Sequence, residues 1–166
     1  MKPTTLELGT ISHGTMRVQD TMPALLSALG GIELSRADRE RCADAKLLLL
    51  SIDSDDLLLD DDLLLDLEQE MYEFLLPIAE GYAPDYCYVG SHPGDGSDLG
   101  VWPCEELLDD TSQGSYDGCC FRSTEPPWPS PRLSRDHSHW LQINDHGNAT
   151  LYRRSGSGWT ECWSIV

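Results

Sequence analysis

Between Lys46 and Arg122 the chain contains no lysine or arginine. This span, Leu47 to Phe121, carries nineteen carboxylates. No acid in it has a local cation to lean on, and no helix within it can use the usual acid-to-lysine pairing at four residues' spacing. Any compact fold must therefore turn these side chains to water or tuck them against arginines from outside the span. The chain is not a disordered acidic tail, because 40% of its residues are apolar, close to a globular norm.

The net charge of −18 opposes compaction, repels nucleic acid and anionic membranes, and attracts cationic proteins in a salt-sensitive way. Three explanations compete. The acids can form an ordinary solvated surface, an adaptation to high salt, or a surface selected for a basic partner. Segregation of the acids, rather than mixing with cations, is what the third explains.

At 166 residues the chain suits one domain, 1–166, with a helical half at 16–81 and a β-rich half at 86–166. Met1 to Leu8 lacks a basic stretch followed by an apolar one, so no secretory signal is expected. No apolar run is long enough to span a bilayer. A cytoplasmic setting is expected. The six cysteines then read as reduced thiols.

Thr4 to Ile11 alternates as a strand and Ser12 to Thr15 as a turn. Asp20 reads as an N-cap, with Pro23 early in the helix that follows and Gly30-Gly31 ending it. Ser35 and Asp38 form a capping arrangement that opens a helix from Arg36 to about Leu50. Its closing leucine run can equally be a buried strand by periodicity alone. Asp53 to Asp56 and Asp60 to Asp62 are helix-start signals. From Asp60 the spacing is helical. Leu64, Leu67, Met71, Phe74 or Leu75, and Ile78 face the core, with Asp62, Asp66, Gln69, Glu70 and Glu73 opposite. Gly81 and Pro84 stop it near Glu80.

Tyr86 to Val89 and Asp98 to Trp102 read as a hairpin around His92 to Gly96. Glu105 to Tyr116 is a helical turn with a loop, and Pro126 to Pro131 a rigid extended connector. His139 to Ile143, Ala149 to Arg153 and Trp159 to Val166 alternate as an antiparallel meander. The fold class is α+β: an antiparallel sheet of about five or six strands with two or three helices on one face.

Catalytic and metal signals are weak. His137 and His139, with Cys104, Cys119, Cys120 and His92, lack the spacing of a zinc site. No cysteine sits in a nucleophile signature, so a histidine–cysteine enzyme stands only as a third reading. Gly94-Asp95-Gly96 lacks the ligand alternation of a calcium loop. No metal and no cofactor is expected.

The carboxylates of the acidic helix recur at several ångströms, a spacing at which side chains evolved to grip phosphates can also grip carboxylates. In size and charge pattern, over Leu47 to Phe121, the chain resembles the small acidic nucleic-acid mimics of phages and plasmids, the anti-restriction and anti-CRISPR class. The resemblance implies an inhibitor that occupies the basic site of a nucleic-acid-binding protein. The residues expected to make contact are Asp60, Asp61, Asp62, Asp66, Glu70 and Glu73. Asp95, Asp98, Glu105, Glu106, Asp109 and Asp110 are expected at the periphery. The alternative is an immunity- or antitoxin-like module for a partner unrelated to nucleic acid, anchored on aromatics such as Trp128 or Trp102.

Overall fold

A computed structural model describes residues 2–51, 61–109, 114–128 and 137–166. The chain divides into two compact units, Met1–Trp102 and Pro103–Val166. The architecture is α+β with mostly antiparallel pairing, and the strands are shared between two sheets of three and five strands.

In the first unit, β1 (Gly9–Ser12) precedes α1 (Val18–Gly31) and α2 (Arg36–Leu50). The strand is shorter than the alternation at Thr4 to Ile11 suggests, because only Gly9 to Ser12 pairs with a partner strand. α1 starts two residues ahead of Asp20 and has no side-chain cap on its own N–H groups. Asp20 instead accepts a 2.9 Å bond from the Thr15 hydroxyl. Val18, Met22, Leu25, Leu26 and Leu29 are buried along α1, which packs against β1, α2 and the helices that follow.

α2 starts where the Ser35–Asp38 pattern places it. Ser35 Oγ accepts from the Asp38 N–H at 3.1 Å and donates to its carboxylate at 2.6 Å. The leucine run continues the helix to its end, with Leu47 and Leu50 exposed.

The acidic helix is built in three pieces: α3 (Asp61–Gln69), a π-helical turn (Glu70–Leu75) and α4 (Leu76–Glu80). Leu67, Met71, Leu75 and Ala79 are its buried residues of apolar type. They advance by four each time, whereas an ideal α-helix at 3.6 residues per turn drifts about 40° at each such step. The wider π-turn takes up that drift and keeps the four on one side. Ile78 is half-buried and Phe74 exposed as a result, with Ala79 in the core. The helix-start signal at Asp53 to Asp56 lies outside the described residues.

β2 (Cys87–His92) and β3 (Asp95–Pro103) are joined by the two-residue turn Pro93-Gly94, and β3 sits centrally between β1 and β2. Trp102 Nε1 donates to the Gly90 carbonyl at 3.0 Å, and its ring meets His92 edge-on.

The second unit holds α5 (Glu105–Asp109), β4 (Gly114–Ser115), β5 (Cys120–Ser123), β6 (His139–Ile143), β7 (Ala149–Ser155) and β8 (Gly158–Ile165). The three last strands form the meander read from alternation. β5 adds to its edge in parallel, pairing Phe121 with Trp140 and Arg122 with Leu141. Leu107, Cys120, Leu141, Ala149, Leu151 and Trp163 are buried. Of the proline-rich connector, residues from Pro129 onward lie outside the described residues. No helix of the described residues is long and apolar enough to cross a membrane. All six cysteines are free thiols.

Candidate functional site

The carboxylates of the cation-free span fall into two groups, those drawn into the chain's own packing and hydrogen bonding and those on an exposed helical face. Glu70 belongs to the first. Placed on the outer face by spacing alone, it is only 9% exposed and receives a charge-assisted bond from Arg41. The Arg41 guanidinium also lies 3.6 Å over the Phe74 ring. Burial pushes the Glu70 carboxyl up from its usual range, and the Arg41 charge opposes this. The π-helical segment begins at Glu70 itself, three residues after the buried Leu67 and next to the buried Met71.

Asp98 is likewise internal. It accepts a 3.1 Å bond from the Thr10 hydroxyl and lies 3.6 Å from His13 Nδ1. Its side chain is 15% exposed, so it ties β3 to β1 more than it presents charge. Asp95 is exposed but spends one oxygen on the N–H and hydroxyl of Ser97, which hold its carboxyl below the usual range. Glu80 accepts from the Val89 N–H at 2.6 Å, and Asp117 from the N–H groups of Cys119 and Cys120. Backbone and hydroxyl donors thus stand in for the missing cations.

The second group lies on α3 and the π-turn. Asp62, Asp66, Gln69 and Glu73, spaced four, three and four, form one exposed row. It runs roughly 16 Å along the helix axis. Gln69 Nε2 donates to Glu73 at 3.0 Å within it. Asp61, Leu65, Glu68 and Tyr72 form a second row with the same spacing, also exposed. Leu65 and Tyr72 are 63% and 58% exposed, large for such side chains on a helix that already buries its core residues. The outer surface is therefore an acidic row beside a mixed acidic and apolar one.

Glu105, Glu106 and Asp109 are exposed on α5 in the second unit. Asp60 and Asp110 lie outside the described residues. Of the aromatic anchors, Trp102 is held by its own hairpin, whereas Trp128 is 54% exposed and touches Tyr152 edge-on.

His137 and His139 each lie beside a different hydroxyl. His137 Nε2 is 3.1 Å from Ser115 Oγ and His139 Nδ1 is 3.0 Å from Ser138 Oγ. Among the described residues no three histidine, cysteine or acidic side chains come together as metal ligands do. No family model, no curated protein and no solved structure matches the chain.

Two residues that charge counting passes over belong to the same region. Asp38, on α2, accepts bonds from Ser35 and from the Tyr82 hydroxyl, which together hold its carboxyl below the usual range. The Ser35–Asp38 capping signal marks Asp38 in the sequence, but only as part of a helix start. Nothing in the sequence marks Tyr82, which arrives from the other end of the helical segment.

Proposed function

We propose that this chain is an acidic binding protein that occupies a basic protein surface, that of a nucleic-acid-binding protein, and thereby blocks it. The supporting observation is the exposed row Asp62, Asp66 and Glu73 beside Asp61 and Glu68, on a helical segment with no lysine or arginine. Encounter would be steered by the field of these carboxylates and completed by carboxylate–guanidinium pairs. Such binding weakens steeply with salt.

A second reading, an interaction module for a partner unrelated to nucleic acid, draws on Leu65, Tyr72 and Trp128. Large exposed apolar side chains ringed by polar ones suit a protein partner better than a pure phosphate-like surface does.

Affinity capture from a cell lysate at low and high salt tests both. On the first reading the captured species are nucleic-acid-binding proteins, are released by salt, and are lost on changing Asp62, Asp66 and Glu73 together to Lys. Capture untouched by that triple change sinks it. Capture that survives salt but fails in Leu65→Ala/Tyr72→Ala favours the second.

A further inference from the structure

A groove of about 430 Å³ lies between the start of α2 and the far half of the acidic helix. Asp38 and Glu73 contribute its carboxylates, and Phe74, Pro77, Ile78 and Tyr82 its apolar and aromatic surface. No lysine or arginine lines it. The three arginines of α2 are engaged elsewhere: Arg36 with Glu40 at 2.8 Å, Arg39 with the Leu34 carbonyl at 3.0 Å, and Arg41 with Glu70. None of the three therefore fills this groove.

We propose that the groove is a socket for an arginine side chain of the partner, its aliphatic stem on Pro77 and Ile78 and its guanidinium between Asp38 and Glu73. The inference rests on the basic-partner reading and names the side chain that reading leaves open. Three features select arginine. A long cationic side chain gains from burying its stem on apolar surface while the head stays with charge. A planar guanidinium stacks on aromatic rings and donates in several directions, where an ammonium is a strongly hydrated point. The protein also already holds one guanidinium beside this groove in the same manner, Arg41 over Phe74 and bonded to Glu70. Asp38 is pre-set for the role, because Ser35 and Tyr82 fix its carboxylate before any ligand arrives.

The test titrates N-acetyl-arginine amide into the isotope-labelled full chain and follows amide chemical shifts, with N-acetyl-lysine amide in parallel. Shifts should centre on Asp38, Glu73 and Tyr82, and arginine should bind more tightly than lysine. Glu73→Gln should weaken arginine by about three- to fivefold, the effect of one partly exposed charge pair. Asp38→Asn should do the same with helix content retained by circular dichroism, and Glu68→Gln should change nothing. Shifts centred elsewhere, equal binding of lysine, or an unaffected Glu73→Gln each overturn the socket. A labelled hexa-arginine peptide separates this from the wider reading. If its binding falls on changing Asp62 and Asp66 to Lys while the groove variants have no effect, the socket fails and the basic-partner reading stands. If it is indifferent to Asp62 and Asp66, the wider reading fails, and the amino-acid titration still judges the groove.

Discussion

The Tyr82 hydroxyl donates to the Asp38 carboxylate at 2.7 Å across forty-four residues of sequence, and the same oxygen accepts the Ser35 N–H at 2.8 Å. In a capping box the acid at the third helical position reaches back to the N-cap N–H directly. Here aspartate, one methylene shorter than glutamate, is joined to that N–H by a phenol from the end of the acidic helix. The start of α2 and the end of α4 are thereby fastened together.

Tyr82→Phe removes this link and little else. It leaves the Ser35 N–H and one Asp38 lone pair to water, and should cost about 1 kcal/mol. For a unit of this size that lowers the melting temperature by roughly 5 °C. Thermal unfolding followed by circular dichroism reads the change, and an unaltered midpoint shows that the phenol bond contributes nothing net.

Asp38 gives a pH signature. Its carboxyl sits below the ordinary value of 3.8 because Ser35 and Tyr82 donate to the ionised form. Its contribution is therefore fully present above that value and is lost as pH falls through the lower folded-state value. Urea unfolding of the wild type and Asp38→Asn across an acidic series should show a stability gap that is constant above about pH 5 and closes at the acid end. A gap that widens on acidification would contradict the assignment.

Arg41 and Glu70 should behave as a unit. Removing one partner strands the other in a largely dry site, while replacing both with apolar side chains removes the need for either. With Arg41 about one third exposed, Glu70→Met alone should cost about 1–2 kcal/mol, less than a fully buried pair. Arg41→Met/Glu70→Met should cost less than the two single changes added together. A double-mutant cycle by urea unfolding measures the coupling, and additive costs would remove Glu70 from the buried pairs.

Gly100 is required by close approach rather than by backbone angle. A Cβ there would run into the Gly9 carbonyl oxygen of the neighbouring strand and the ring of Trp102. The backbone oxygen cannot move without breaking the pairing of Thr10 with Gly100. Gly100→Ala should destabilise the first unit by about 2–3 kcal/mol. Hydrogen exchange should quicken along β1 and β3 first.

Much of the local structure is legible in the chain. Ser35 and Asp38 mark the start of α2, Gly81 and Pro84 the stop after Glu80, and alternation finds the three closing strands nearly to the residue. These are short-range effects, set by caps, turn residues and the period of apolar side chains. The candidate site is legible as a charge pattern: Asp61, Asp62, Asp66 and Glu73 face water in rows that helical spacing alone predicts. Glu70 is not read from the charge pattern: three residues after Leu67 and next to Met71 it borders the apolar face, and the Arg41 that bonds it comes from another helix.

The sequence by itself determined the α+β class, the helix and strand limits nearest good capping and turn signals, and the segregation of charge, since each depends on neighbours a few residues apart. Tertiary structure decided which strands pair, with β3 between β1 and β2 and β5 parallel to β6. It also decided which acids are drawn inward, Glu70 by Arg41 and Asp98 by Thr10, and which stay exposed. Those outcomes depend on donors brought from distant parts of the chain, and periodicity carries no information about what a side chain will meet across a packed interface.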